Sequence, residues 1–409
     1  MKKEAVDQPQ FCLQFDYGNF KRNPLLRGSM EGYTVSARKY RPATFDTVIG
    51  QKHITDTLRN AILSNHLGHS FLFCGPRGVG KTTCARILAK TINCTNRTEE
   101  GEACGECESC SSFQTQQSLS VFELDAASNN SVDDIRRLVE QVRIPPQTGK
   151  YKTYIIDEVH MLSQAAFNAF LKTLEEPPSY AIFILATTEK HKILPTIISR
   201  CQVFDFRRIL VNDSVQHLRK ICQKEEVEAE DDALFVIGEK ANGAMRDALS
   251  IFDRIVSFSG KKITYKDVIE NLSILDYDYY FKTVDCFLKS DLPSVMLLFN
   301  EILEKGFDAH DFLSGLASHF RNLLVSKDER TISLMEVTET SQQRYLEQAR
   351  AASQSFILSG MNILNQFDVN YKTSKNQRLH VELALMKLCH VNDAIKLAID
   401  SSGLKKKVS

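Results

Sequence analysis

Short apolar, β-rich runs recur through the first half of the chain. They are SFLFC (70–74), VFEL (121–124), TYIID (153–157), AIFILATT (181–188) and VFDF (203–206). Helical patterns lie between them. TTCARILAKTI follows the first run after a short glycine-containing loop. In QAAFNAFLKTL, Phe167, Phe170, Leu171 and Leu174 repeat at i, i+3, i+4, i+7. Strands alternating with helices predict an α/β fold with a parallel sheet covered on both faces. From about residue 210 the β runs stop. DSVQHLRKICQKEEV, DALFVIGEKANGAMRDALSIFDRIV and YKDVIENLSIL read as amphipathic helices, with Gly243 and Gly260 as punctuation. A second helical region runs from near Asp276 to about Leu397, and NLSILDYDYY before it reads as a hinge.

The expected organisation is an N-terminal extension over 1–32, an α/β domain over 33–209 and a small helical domain over 210–275. A second helical domain over 276–398 and a basic tail over 399–409 complete it. The extension shows no clear period and reads as a flexible arm, or as sequence ahead of a start near Met30.

Composition changes this picture little. The 409 residues are 43% hydrophobic and 25% charged, as in ordinary soluble proteins. Lys+Arg and Asp+Glu both total 51, so no overall positive field advertises nucleic acid, and any such contact must come from local patches. The basic start MKKEAVDQPQ is followed by no apolar run, and no stretch approaches the roughly 20 apolar residues of a membrane span. The expected location is the cytoplasm, with no membrane partner.

The chemistry begins at GPRGVGKT, Gly75 to Thr82, which fits G-x-x-x-x-G-K-[ST] between an apolar strand and a helix. Gly75, Gly78 and Gly80 let backbone N–H groups wrap phosphates, and the helix start adds positive potential. Lys81 would reach the outer phosphates of ATP, Thr82 would ligate Mg²⁺, and Thr83 follows in the same turn. The bland alternative is a chance glycine turn. TYIIDEVH ends a strand in Asp157, which can hold Mg²⁺ through water, and in Glu158, a candidate general base for the attacking water. An ordinary acidic strand end is the competing reading; His160 reads as structural. Thr187 and Thr188 end a neighbouring strand and could sense a γ-phosphate or merely cap it. Arg200 and Arg246, taken alone, read as solvated arginines.

Cys94, Cys104, Cys107 and Cys110 form C-x9-C-x2-C-x2-C, although the whole chain has only 11 cysteines. In a cytoplasmic protein disulfides are rare. Four thiolates at this spacing suit a closed, structural tetrahedral Zn²⁺ site. An iron–sulfur cluster shares the ligand set and is the runner-up. The insert lies between the first helix of the sheet and the next strand, so it is expected to project from the sheet and away from the nucleotide. A partner surface is its expected purpose.

The order ARKYRPATFDTVIGQ, GPRGVGKTT, four cysteines, ELDAASNNSVDDIR, IIDEVHMLS, AFLKTLEEPP, LATTEKHKILPTIISRC and GAMRDALS resembles the gamma/tau subunits of bacterial DNA polymerase III. These are the ATPases of the sliding-clamp loader, in the AAA+ superfamily. The resemblance is dense from about Ala37 to Ile274 and looser to about His390. It implies a RecA-like AAA+ P-loop module with a five-stranded parallel sheet, then a helical lid and an all-α collar that holds a pentameric ring. It implies that Lys81 and Thr82 bind ATP and Mg²⁺, Asp157 ligates Mg²⁺ and Glu158 activates water. Thr188, less clearly Thr187, would be a sensor. Arg246 would touch the nucleotide of its own subunit, and Arg200 would reach the ATP of the neighbouring one. Tyr40, Arg41, Val48 and Ile49 would line the adenine side. It also agrees with zinc at the cysteines.

Implied partners are other clamp-loader subunits, the sliding clamp and primer–template DNA, with helix starts near Ser131 and Ser163 as candidate DNA contacts. The chain ends soon after the collar, so the expectation is a gamma-like or truncated product, for which the polymerase core is a less secure partner. A non-hydrolysing scaffold and a branch-migration motor are the competing classes. No polymerase carboxylate constellation is seen, so DNA-directed DNA polymerase activity would belong to the holoenzyme.

Overall fold

The protein is described from a computed structural model, covering residues 34–397 apart from Gln116, Ser273, Glu336 and Lys396. The expected extension over 1–32 and the tail over 399–409 lie outside the described residues.

Five strands, β1 (Ser70–Cys74), β2 (Val121–Asp125), β3 (Lys152–Asp157), β4 (Ala181–Thr187) and β5 (Gln202–Asp205), form one all-parallel sheet in the order β2-β3-β4-β1-β5. Every residue of β1 and β4 is buried, because helices cover both faces of the sheet. Successive side chains serve opposite cores, as the strand period demands. Phe71, Phe73, Ile155 and Ile184 join helices Lys52–Leu63 and Lys81–Ile92. Leu72, Tyr154, Ile156, Phe183 and Leu185 join helices Val132–Val142 and Gln164–Glu175. Phe183 stacks on Tyr154 at 5.5 Å and meets Phe170 edge-on at 5.2 Å.

A third core is built by helices Val211–Glu225, Asp231–Lys240, Met245–Ser259 and Tyr265–Leu272. Here the expectation of helix alone misses a detail. Two-residue strands β6 (Glu228–Ala229) and β7 (Lys262–Ile263) pair in parallel beneath these helices. Two residues are too short to carry a period, so no alternation marks them.

A fourth core spans residues 275–391 and is wholly helical, with helix Ala309–Val325 packed on helix Gln354–Tyr371. The segment read as a hinge is braced. Ile274 packs into the third core, Leu275 is buried in the fourth, and the Tyr277 hydroxyl donates to Glu239 at 2.6 Å. Among the described residues, no helix is long and apolar enough to cross a membrane.

The last core contains a buried polar chain. His319 Nε2 meets Gln348 Oε1 at 2.8 Å, and Gln348 Nε2 donates to the Phe281 carbonyl and to Asp285 Oδ1 at 2.8 and 2.6 Å. With its carboxamide nitrogen so used, Gln348 offers oxygen to an imidazole N–H. His319 Nδ1 has no partner among the described residues. Burial pushes the His319 pKa down to about 4, so the ring folds neutral. The unfolded chain takes up a proton below the ordinary value of 6.5, which the folded ring refuses until about 4. Stability contributed by this ring is therefore present above pH 6.5 and lost as pH falls towards 4. The expected slope approaches about 1.4 kcal/mol per pH unit in that window. Replacing His319 by Asn should flatten it, as read from chemical unfolding at pH 7 and pH 5.

Candidate nucleotide-binding site

The phosphate loop connects the C-terminal end of β1 to helix Lys81–Ile92, at the edge of the sheet where strands end and helices begin. Its glycines are conformational necessities at two points. Gly75 has φ +148°, and a Cβ there would lie 2.5 Å from the Phe206 carbonyl oxygen. Gly78 has φ +78°, and a Cβ there would meet the Ala244 Cβ at 2.9 Å. Gly78 is thus the contact between the loop and the third core, reinforced where Arg246 N–H donates to its carbonyl at 3.4 Å.

Lys81 is only 6% exposed. Its ammonium donates to the carbonyls of Gly75 and Pro76, both at 2.8 Å, and among the described residues it makes no ion pair. Burial lowers its pKa, and the nearby charges of Glu158 and Asp157 oppose that shift. A buried cation held only by backbone dipoles is a strong attractor for an anion. Beside it, the Thr82 hydroxyl donates to Asp157 Oδ2 at 2.6 Å. These hard oxygen donors fit Mg²⁺, which takes oxygen ligands and keeps several waters.

Glu158 follows at φ 49°, ψ 42°, a left-handed conformation uncommon for a residue with a Cβ. The turn brings its carboxylate to the Thr188 hydroxyl, which donates to Oε2 at 3.0 Å. Thr187 is buried and serves another partner, His160 Nδ1 at 3.1 Å. His160 also lies within 3.4 Å of Glu158 and 3.5 Å of Glu189.

A cavity of about 370 Å³ opens over the loop. It is lined by Gly78, Gly80, Lys81, Thr82, Thr83, Asp157 and Glu158 on one side and by Tyr40, Arg41, Val48 and Ile49 on another, with Met245, Arg246 and Leu249 closing over them. Arg41 donates to Thr83 Oγ1 at 3.2 Å. Its pKa is lowered, first by burial and then by Arg86. Sequence reasoning missed Arg38, Arg77, Ile209 and His217, which also line the cavity. His217 carries a lowered pKa from burial and from Lys220 and Lys224, so it meets a ligand as neutral imidazole. Gly75 and Thr188 do not line the cavity, but each bonds to a residue that does, Gly75 to Lys81 and Thr188 to Glu158.

Two sets of predicted residues are not brought here. Arg200 lies outside the cavity, its guanidinium on the Thr196 carbonyl at 2.6 Å and paired with Glu175 at 2.5 Å. The four cysteines gather elsewhere, their sulfurs within 4.8 Å of one another. Cys94–Cys104, Cys94–Cys107 and Cys104–Cys110 are 3.5, 3.9 and 4.0 Å apart, far beyond a disulfide bond. A tetrahedron with Zn–S near 2.3 Å has edges of about 3.8 Å, so the cluster fits zinc. Cys107 caps the start of a helix, Glu108–Gln114, that carries Cys110. The insert, expected to project from the sheet and away from the nucleotide, also packs back on the domain. Phe113 packs on the sheet-domain core under Arg86, and Glu102 is buried against helix Lys52–Leu63 and the segment before it. Ser131 and Ser163 cap their own helices, accepting from Asp134 and Ala166 N–H at 3.2 Å each.

Comparison with known proteins places this geometry. Family models match three consecutive stretches: DNA polymerase III, delta subunit, over residues 50–209; DNA polymerase III clamp loader subunit, ATPase lid domain, over 214–261; and DNA polymerase III subunits gamma and tau domain III over 263–399. DNA polymerase III subunit gamma of Buchnera aphidicola (Acyrthosiphon pisum) is 33% identical, over 87% of this chain and 98% of that protein. The chain belongs to the gamma/tau family of DNA polymerase III subunits. DNA polymerase III subunit tau of Bacillus subtilis is 40% identical, over 88% of this chain and 64% of its own length. The corresponding subunit of Escherichia coli is 39% identical over 68% of this chain and 43% of its own. The gamma/tau chain described here thus spans between two fifths and two thirds of the length of these two tau relatives. Among solved structures, the Thermotoga maritima RuvB branch migration motor aligns over 60% of this chain and 79% of its own at 20% identity, with a TM-score of 0.44. That likeness bears no weight for function.

Proposed function

We propose that this gamma/tau chain is an ATPase subunit of a replicative clamp loader, which uses ATP binding and hydrolysis to open a sliding clamp and load it on primed DNA. The observation that carries this reading is the cavity shared by the phosphate loop and the helical lid. It holds a buried Lys81 that makes no ion pair among the described residues and a Thr82–Asp157 pair, with Glu158 on its wall and Arg200 outside.

The loop N–H groups and Lys81 bind the triphosphate, and Arg41, Val48 and Ile49 take the base side. Mg²⁺, when held by Thr82 and Asp157, offsets charge on the phosphates. Glu158 orients and deprotonates the attacking water, with Thr188 fixing its carboxylate. Arg246, anchored beside Gly78, reports the nucleotide to the lid. Arg200 cannot serve its own cavity from its position on Glu175, so it acts on the ATP of the adjoining subunit in a ring, pentameric in this family. ATP at such a seam tightens the ring, and hydrolysis loosens it and frees the clamp. DNA is expected near the helix starting at Ser163, whose first turn carries no acidic residue, rather than at Ser131, where Asp133 and Asp134 follow. The four cysteines hold one structural zinc.

Replacing Arg200 by Ala should cut DNA-stimulated ATPase of the assembled loader by about 10³-fold or more while leaving ATP binding to the isolated subunit unchanged. Equal loss of binding in the monomer would contradict the assignment. Glu158→Gln should retain ATP binding and lower turnover by about 10²–10⁴-fold. Metal analysis of the purified chain should find one zinc; a brown, iron-containing preparation would refute the zinc assignment.

A further inference from the structure

The loop between Cys94 and Cys104 reaches back to the nucleotide cavity through one side chain. Glu102 is 7% exposed. Its Oε2 accepts the Phe45 N–H at 3.1 Å and its Oε1 accepts the Asp46 N–H at 3.3 Å. Phe45 and Asp46 open the 3₁₀ helix Phe45–Thr47, so the carboxylate takes the first two orphan donors of that turn. A cation completes the clasp: Arg59 Nη2 donates to Glu102 Oε1 at 3.0 Å and to Asp46 Oδ1 at 2.5 Å. Charge-assisted bonds to buried backbone N–H groups are among the stronger polar contacts.

Glu102 is itself aimed by a tight turn. Its N–H donates to Thr98 Oγ1 at 3.2 Å, its carbonyl accepts from Thr98 N–H at 3.0 Å, and Gly101 N–H donates to the Thr98 carbonyl at 3.0 Å. Gly101 sits at φ +79° against Leu63 and Arg59.

The held turn ends at Val48, whose N–H donates to the Phe45 carbonyl at 3.1 Å. Val48 and Ile49 line the cavity, as does Pro42 just before the turn. Phe45 itself is buried in the core beneath. The wall that meets the base side of the nucleotide is therefore fixed at its back by a residue of the cysteine module.

We propose that Glu102 is a positioning residue of the nucleotide site: the cysteine module sets the wall against which the base is bound. The proposal rests on the reading of the cavity as an ATP site and extends it to a role for the module. Among the described residues no hydrogen bond or ion pair joins the phosphate loop to this clasp, and Val79 meets Phe45 only through the apolar core, so loss of Glu102 acts first on the base wall and largely spares the phosphates.

Calorimetric titration of the full chain with MgATP and, separately, with magnesium tripolyphosphate separates the two. In Glu102→Gln the Kd for ATP should rise by about 5- to 20-fold, as expected for one weakened charge-assisted clasp. Its Kd for tripolyphosphate should stay within about twofold of the parent. Thr98→Val, which loosens the aiming turn without touching the carboxylate, should shift ATP affinity in the same direction by less. An unchanged ATP affinity in folded Glu102→Gln, or an equal loss for both ligands, overturns the proposal. Should Glu102→Gln not fold, an unchanged ATP affinity in Thr98→Val overturns it. A parent chain that binds neither ligand overturns the ATP-site reading instead, which is a distinct result.

Discussion

A lysine ammonium buried against two carbonyl oxygens is the interaction on which this molecule turns. Desolvation of an unpaired charge is costly, and backbone dipoles offset only part of it. The fold accepts that cost because β1 lies in the interior of the sheet, between β4 and β5, and ends where Gly75 alone fits against Phe206. Everything polar around Lys81 is then arranged so that the missing charge comes from outside. Thr82 and Asp157 are turned towards each other, and Glu158 is held by Thr188 instead of by the lysine. An anionic ligand relieves a tension built into the folded chain, which is how binding energy becomes available to move other parts.

The lid and the cysteine module are both fastened near this point. Gly78 touches Ala244 and Arg246 on one side, and Glu102 holds the turn before Val48 on the other. The cavity is thus bounded by the sheet domain and the separately cored lid, with the cysteine module bracing one wall from behind, and its width depends on two small contacts. Such junctions are where modest ligand energies produce changes in shape, because packed cores respond as rigid pieces.

Much of this was legible in the sequence, for identifiable reasons. All five sheet strands carry apolar runs, and the phosphate loop sits between a strand and a helix whose patterns are unambiguous. Lys81, Thr82 and Asp157 come together because parallel strand ends meet at one edge. Other parts left no trace in the pattern. β6 and β7 are too short for a period. Arg38, His217 and Ile209 reach the cavity only through tertiary contact between segments far apart in the chain. Glu102 reads as one more charge in a polar insert, and nothing local distinguishes a buried carboxylate that accepts two N–H groups from a solvated one. The packing of the insert back onto the domain was hidden for the same reason: Phe113 and Glu102 find partners that spacing cannot announce.

The ion pair between Arg200 and Glu175 has a consequence for assembly. The guanidinium is already paired within its own chain, so if it serves a second subunit, as proposed, docking would exchange one anion for another. The net gain at that seam is a difference between two Coulomb terms, and it stays small until a highly charged phosphate group competes with a single carboxylate. Under the proposed role, a parked arginine of this kind would add little to the seam when the site is empty and more when it is loaded.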